Sequence, residues 1–584
     1  MPRFPTLSLP LWIAAAVCWS IPFLVAPHTY PIPTFYGEFV TAVCWIVLGV
    51  SVLGLTWASK TGLPSIALAP LALIVVLLVQ LAVATPLNPF FSFAAIVFLF
   101  GAAVVCGLGA RCRGMPGVLD AIAVGILIGG LLTVAIECLQ LFRVPGLPSA
   151  WVAMMPAGTG RRMWGNLNQP NHVASYLAFG LAACLLLAQK YRRSRVPLVM
   201  AALVFLLGMA LTFSRVTWLH LCVVGGIAGL VWSADVRGAR RWWLACVPLV
   251  ALAVAYQVCN WLVDYANVLW HLDLPSSLGD RFKDEGNNLR LLLWKHAWHM
   301  FLAHPWLGGG WGDYAWNQYV QTDTLGNVEM SLNAHNIVLD LLAKVGTIGL
   351  LAVALPFVWL LYGAWRRPLT PELAFLATII LVMGVHSMLE YPLHYLFFLL
   401  PFAFALGYAD ERELRMPSGS MVSLLTGVVV VGTVVLTARM WVDYKSVERL
   451  YYIPDGARQA TYQRYQASGQ LLLVPYGTLA IANSAAITYG VAPIMSALER
   501  EAVHFYPGSG TVQRYALALA LQGKTDEAVT QVRRLHHQYW TNYATQSTDL
   551  TGACAQRADA LEAFCARLRS ERLLIVADPS VNKN

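Results

Sequence analysis

The sequence predicts an all-α, polytopic membrane protein: a bundle of about 13 transmembrane helices followed by a C-terminal soluble helical domain. Three observations carry that prediction. Of 584 residues, 58% are hydrophobic and only 12% charged, against about 25% charged in an ordinary globular domain. Apolar runs of the length that crosses a bilayer, about 20 residues, recur as far as residue 442. Basic residues gather in short loops between alternate runs, as the positive-inside bias requires.

The runs lie near 9–27, 37–57, 64–84, 89–108, 117–140, 171–189, 196–213, 215–233 and 241–263, then near 334–361, 371–390, 393–409 and 420–442. The first lacks a small-residue cleavage site after it, so it reads as a retained helix and not as a removable signal. If the helices alternate, Lys60, Arg111 and Arg113, the group Lys190, Arg192, Arg193 and Arg195, then Arg237, Arg240 and Arg241, Arg366 and Arg367, and Arg412 and Arg415 share one side. That side is expected to be cytoplasmic. The intervening loops 28–36, 85–88 and 391–392 hold no basic residue. The expected topology is an N-terminus inside and a C-terminus outside. In a bacterium this means the inner membrane, with the outer loops and tail in the periplasm. Residues 1–442 then form the membrane domain, including a large outer loop at 264–333, and residues 443–584 a periplasmic helical domain.

The net charge of +9 would raise nucleic acid as a partner in a soluble protein. Here the charge follows the loops, and no basic-aromatic patch stands outside them, so nucleic-acid binding is excluded. Nine of the 11 cysteines lie in or beside apolar runs, where cysteine acts as a small hydrophobe, and no metal-type Cys/His spacing occurs. Cys554 and Cys565 stand apart in the polar tail and pair if the tail lies in an oxidising compartment. Residues 514–528 show small residues at helical spacing, a glycine turn and a new helix start, resembling one tetratricopeptide-like hairpin. A docking platform and a plain helical cap both fit it.

Two outer loops break the charge rule. The segment 141–170 carries Arg143, Arg161 and Arg162, and the segment 264–333 carries Arg281, Lys283, Arg290 and Lys295. Either an anionic partner is met there, or long loops translocate whatever their charge. Within the second loop, 288–301 reads as an amphipathic helix lying in the interface. The glycines at 308, 309, 310 and 312 read as a flexible turn, without the Gly-Lys-Ser/Thr ending of a phosphate loop.

The polar stretch Arg161-Arg162-Met163-Trp164-Gly165-Asn166-Leu167-Asn168-Gln169-Pro170-Asn171-His172, between two apolar runs, offers hydrogen-bonding capacity that is costly beside a bilayer unless a polar ligand uses it. Ala334-His335-Asn336 stands where the long loop meets the next apolar run. A lone histidine there is more often a structural hydrogen-bonder. Its company, Ser214-Arg215, Arg281 and Arg290, and Gln169 with Asn168 and Asn171, suits a phosphate-bearing donor and a hydroxyl acceptor: guanidinium binds phosphate bidentately and neutral histidine accepts a hydroxyl proton. Glu390-Tyr391-Pro392-Leu393-His394-Tyr395 is the last outer polar interruption, with Glu390 to orient a histidine or an arginine and the tyrosines equally suited to an interfacial belt. No Asp-x-Asp pattern is present, so the chemistry is expected to need neither metal nor cofactor.

On the motifs 165–172, Thr212-Phe213-Ser214-Arg215, the 290–310 stretch with Trp294 and His304-Pro305, Ala334-His335-Asn336 and Glu390 to Tyr395, the chain resembles bacterial protein O-oligosaccharyltransferases of the PglL or pilin-glycosylation type, within the O-antigen ligase and polymerase superfamily. The resemblance covers most of the membrane part and extends into the tail. It implies transfer of a preassembled glycan from undecaprenyl pyrophosphate to Ser or Thr hydroxyls of an exported, pilin-like protein at the periplasmic face. It assigns the essential histidine to His335, the essential arginines to Arg215 and Arg290, and a glutamine and tyrosine to Gln169 and either Tyr391 or Tyr395. Arg161, Arg162 and Arg281 remain steering candidates. Competing readings are an O-antigen ligase acting on lipid A-core, a transporter of lipid-linked sugar, and a non-catalytic membrane anchor for periplasmic assembly. The transporter reading expects polar sites near midmembrane between repeated halves, and no inverted repeat is visible.

Overall fold

The computed structural model describes residues 8–56, 62–154, 160–275, 286–414, 419–454, 456–556 and 559–574. Lys60, Arg281, Lys283 and Arg415 lie outside the described residues. Fifteen helices precede the tail: α1 (Leu9–Cys18), α2 (Phe35–Thr56), α3 (Leu68–Val83), α4 (Pro89–Cys112), α5 (Val118–Leu141), α6 (Pro170–Lys190), α7 (Arg195–Leu211), α8 (Val216–Trp232), α9 (Ala239–Trp270), α10 (Gly286–Ala303), α11 (Tyr314–Leu325), α12 (Ile337–Ala364), α13 (Pro371–Ser387), α14 (Leu396–Ala409) and α15 (Gly419–Tyr451). The tail adds α16 (Arg458–Ala467), α17 (Val474–Ser484), α18 (Ala492–Phe505), α19 (Ser509–Ala520), α20 (Thr525–Gln538), α21 (Tyr543–Gln546), α22 (Thr548–Gln556) and α23 (Glu562–Ser570). The chain is helical almost throughout. The described strands are Leu63–Pro64 and Glu413–Leu414, paired antiparallel.

Every predicted apolar run contains a helix. Among the described residues, nine helical segments are long and apolar enough to cross a membrane: α2, α3 with the turn before it (Ser65–Val83), α4, α5, α6, α7 with the turn before it (Arg192–Leu211), α9, α12 and α15. The helices α1, α8, α13 and α14 are shorter, at 10–17 residues. A 17-residue helix spans about 25 Å, less than the ~30 Å of a hydrocarbon core. The shortness goes with an interior place: 11 of the 14 residues of α14 are buried, so packing, not lipid, receives its apolar surface.

Two compact units divide the chain. The first comprises 1–71, 98–284 and 353–438, the second 72–97, 285–352 and 439–584. In the first, α6 is the central helix, 83% buried, whereas α9 and α15 are 11% buried and offer their sides to lipid. Small residues let the central helices approach. A Cβ at Gly407 would meet the Cys106 carbonyl oxygen at 2.0 Å, and one at Gly109 the Phe404 carbonyl oxygen at 2.3 Å, so α4 and α14 cross backbone to backbone, as small residues allow in membranes. Tyr176 stacks on Phe23 at 4.0 Å and donates its hydroxyl to the Trp19 carbonyl at 2.9 Å.

At one end of this unit the basic loop residues meet. Lys190 pairs with Asp120 at 2.7 Å and Glu372 at 3.1 Å. Arg113 donates to the Tyr408 and Gly407 carbonyls, and Arg367 to the Ala409 carbonyl at 2.7 Å. Three of the residues assigned to one side by loop charge are thus found at one end of the unit.

In the second unit, α12 is broken at Gly346 (φ 66°, ψ −166°). The glycine stretch before it, expected as a flexible turn, packs tightly instead. A Cβ at Gly308 would lie 2.3 Å from the Lys344 carbonyl carbon and one at Gly346 2.4 Å from that of Trp306, while the Gly309 N–H donates to the Ala343 carbonyl at 2.8 Å. Glycine is needed here for close approach. In the tail, α19 and α20 form the predicted hairpin, turning through Gly523 at φ 75°, and Cys554 is bonded to Cys565.

Candidate active site

In the first unit, the polar stretch 161–172 is built into the end opposite the basic cluster by capping chemistry. Pro170 occupies the first turn of α6, where its missing N–H costs nothing, and the Gln169 side-chain oxygen accepts the His172 N–H at 2.7 Å, satisfying one exposed helix donor. Asn168 ahead of it is exposed and left-handed at φ 54°. Gln140 of α5 pins the loop by accepting from Gly165 N–H at 3.0 Å and donating to the Gly165 carbonyl at 2.7 Å. Asn166 is 2% exposed and bonds the Leu24, Trp151 and Ala153 backbones.

Asn171 joins three motifs. Its oxygen accepts from the Ser214 hydroxyl at 2.6 Å, and its nitrogen donates to Glu390 at 3.2 Å. Ser214 follows Phe213, left-handed at φ 48°, and precedes Arg215, which caps α8 half-buried. Arg162 donates Nε to the Thr212 carbonyl at 2.9 Å, securing the same turn. Arg161 is 7% exposed, with its Nη atoms on the Gln140, Leu141 and Leu272 carbonyls. Burial, and then neighbouring Arg143, push its pKa down. The two tyrosines differ. Tyr395 packs its ring 5.0 Å from His172 and stacks on Phe397 at 5.3 Å. Tyr391 lies at the edge of this group, 5.9 Å from Tyr395 and 6.0 Å from His394.

Below Asn171 the structure reveals a buried trio that sequence reading missed: the Ser175 hydroxyl lies 2.7 Å from His386 Nδ1 and 3.4 Å from His220 Nε2. Each histidine sits singly within an apolar run, so no local pattern announces the cluster.

The second unit holds Arg290 and His335. Arg290 lies half-buried in the first turns of α10. This helix was expected to lie in the interface. It buries Leu293, His296, Ala297 and Met300, a stripe at helical spacing, and Ala297 and Met300 pack with Tyr314, Ala334 and Ala343. The helix bearing Arg290 thus packs against the residue preceding His335.

His335 is left-handed at φ 53°, a conformation that a non-glycine residue keeps only where its surroundings over-determine it. Those surroundings are explicit. Asp340 accepts the Ala334 N–H at 2.9 Å and pairs with Lys344 at 3.0 Å, and Lys344 donates to Asn333 at 2.5 Å. On the other side, Asn336 accepts the Val338 and Leu339 N–H groups at 3.1 Å each, capping α12. Asp340 and Lys344 are spaced i, i+4 after Asn336, a signal readable in the sequence and overlooked.

The long loop is also clamped to the tail. Arg534 of α20 grips Asp323 with bonds at 2.9 and 2.6 Å, Tyr319 donates to Gln531 at 2.7 Å, His537 bonds Asn327 at 2.7 Å, and Thr541 donates to Glu329 at 2.6 Å. Among the described residues no group of three or more His, Cys, Asp or Glu side chains is placed to hold a metal ion.

Comparison with known proteins follows this order of motifs. Residues 163–188 match a family described as protein glycosylation ligase, residues 200–354 the O-antigen ligase family, and residues 374–551 the C-terminal part of a virulence factor membrane-bound polymerase family. The chain is 25% identical over 467 residues to a general O-oligosaccharyltransferase of Acinetobacter baylyi, covering 74% of this chain and 76% of that one. It is 22% identical over 266 residues to a ComP-specific O-oligosaccharyltransferase of the same organism, covering 44% of this chain and 45% of the relative. The chain is therefore a glycosyltransferase of the O-oligosaccharyltransferase type, with stretches that match the O-antigen ligase and protein glycosylation ligase families.

Proposed function

We propose that this enzyme transfers a preassembled glycan from undecaprenyl pyrophosphate to Ser or Thr hydroxyls of exported proteins such as pilins, at the periplasmic face of a bacterial inner membrane. The N-terminus is cytoplasmic in this reading, residues 1–442 are the catalytic membrane domain, and residues 443–584 are a periplasmic helical domain. The observation that carries the reading is the backbone of His335, left-handed and fixed from both sides, because a base that must meet a hydroxyl in one geometry gains from such fixing.

His335 accepts the hydroxyl proton, the hydroxyl oxygen bonds to the anomeric carbon, and the bond from that carbon to the pyrophosphate oxygen breaks with inversion. The proton passes from His335 to solvent. Arg215 and Arg290 take the charge of the leaving pyrophosphate, which is a weak base and departs without a general acid or a metal ion. Gln169, Asn168, Asn171 and Glu390 line the donor and acceptor path, with Arg161, Arg162 and Arg281 as steering charges. Tyr395 is committed to a ring cluster, which leaves Tyr391, beside Glu390, as the tyrosine that contacts substrate.

Mass spectrometry of exported proteins from cells with and without this chain tests the acceptor. Loss of glycan from a Ser or Thr peptide is expected. The match of residues 200–354 to the O-antigen ligase family supports a second reading, and glycan on lipid A-core with none on any protein would establish it instead.

A further inference from the structure

Where α5 and α9 end, the first unit forms an open cavity of about 440 Å³ walled by Phe142, Arg143, Arg161, Trp270, His271 and Asp273 among others. Its size falls in the ~300–1,000 Å³ range of small-molecule sites. Three wall residues are left-handed without being glycine: Arg143 (φ 48°), His271 (φ 49°) and Asp273 (φ 56°). Such residues cluster at ligand clamps. The contacts that enforce them are visible: the Arg161 N–H donates to the Asp273 carbonyl at 3.0 Å, the Arg143 N–H to the Gln140 carbonyl at 3.2 Å, and Arg161 Nη2 to the Leu272 carbonyl at 2.9 Å. The cavity is therefore pre-formed.

Its chemistry is mixed in a specific way. Arg161 is 7% exposed, and its Nε–H has no hydrogen-bond partner among the described residues, so part of its desolvation is uncompensated. Arg143 pairs with Asp273 at 3.0 Å, with side chains 48% and 43% exposed. An exposed pair of that kind opens at little cost. Phe142 and Trp270 stand exposed at the rim, 6.1 Å apart. Trp261 and Tyr265 on α9 are exposed as well, the aromatic belt that marks the headgroup level of a bilayer.

We infer that this cavity binds the headgroup of a membrane phospholipid carrying both a phosphate and a primary amine, phosphoethanolamine chemistry. The phosphate lies against the half-exposed Arg143, whose guanidinium meets it through paired N–H groups, with the buried charge of Arg161 behind it. The ammonium lies against Asp273, to which it brings three N–H donors. A purely anionic headgroup would leave Asp273 facing negative charge, and a quaternary amine has no N–H to offer it. The site shares only the steering candidate Arg161 with the transfer chemistry proposed above, and the variants that test it, at Arg143 and Asp273, leave that residue in place.

The test uses the full chain, purified in detergent, stripped of lipid and titrated with short-chain phosphatidylethanolamine, phosphatidylglycerol or phosphatidylcholine, with adducts read by native mass spectrometry. Phosphatidylethanolamine is expected to be retained about tenfold better than the other two. Asp273→Asn should erase its advantage over phosphatidylglycerol, and Arg143→Gln should weaken both. Both side chains are half exposed, and unchanged circular dichroism and elution volume check that the variants fold. Equal retention of all three lipids, or a preference that survives both substitutions, overturns the inference. So does displacement of phosphatidylethanolamine by undecaprenyl phosphate in the wild type but not in Arg143→Gln, because the cavity would then belong to the donor path.

Discussion

The two units hold their candidate residues by different means. In the first, side chains at helix ends bond one another: Ser214 to Asn171, Asn171 to Glu390, and Gln169 to the start of its own helix. In the second, His335 is held through the backbone on either side of it, by Asp340 and Asn336. What they share is a left-handed non-glycine residue in each motif, Asn168 and Phe213 in the one and His335 in the other. In the first unit helix-end networks shape a polar surface, and in the second a left-handed turn held from both sides presents one imidazole.

The sharpest way to break that comparison is to remove the presented group and leave its holder intact. His335→Ala should lower transfer by about a hundredfold to ten-thousandfold, the range for a general base, while the protein still inserts and folds. Wild-type-like transfer with intact donor would reject the assignment. Next in size are Arg215→Lys and Arg290→Lys. Each keeps charge but loses the guanidinium fork, so transfer should fall by about a hundredfold. Full rescue by lysine in a transfer assay would show that pyrophosphate is not held bidentately.

How far these features were legible in the sequence follows from how local their causes are. The apolar runs and the basic loops are local, and the structure has a helix in every run and brings Lys190, Arg113 and Arg367 to one end of the first unit. The polar stretch 161–172 stood out because its hydrogen-bonding capacity lies in consecutive residues. The glycines at 308–312 misled as a flexible turn, because Gly308 is required by the backbone of Lys344 and Gly312 by that of Asn88, both distant in sequence. The Arg534 grip on Asp323 spans 211 positions, and the buried Ser175, His220 and His386 come from three separate apolar runs. Neither leaves a trace in composition or period.

That grip offers the next prediction, smaller in effect. If the tail steadies the loop that leads to His335, Arg534→Ala should reduce kcat roughly tenfold with little change in KM for the acceptor, and Asp323→Ala should add nothing further in the double variant, as expected for a coupled pair. Hydrogen exchange at 327–336 should rise in step. A tail that merely caps the fold predicts unchanged exchange there and additive effects.

The smallest effect concerns the tail alone. Glu499 in α18 is fully buried beside Arg514 at 2.8 Å, yet burial outweighs that arginine and lifts its carboxyl pKa from 4.5 to about 7. The folded state therefore binds a proton that the unfolded state has released between those pH values, so stability is fully present below about pH 4.5 and declines as pH rises through 7. The swing is on the order of 3 kcal/mol at most. Hydrogen exchange across α18 and α19 should accelerate between pH 5 and pH 8 beyond its intrinsic pH dependence, and Glu499→Gln, which cannot ionise, should flatten that excess. An excess slope that persists in Glu499→Gln would assign it to another group and leave Glu499 ionised in its pairing with Arg514.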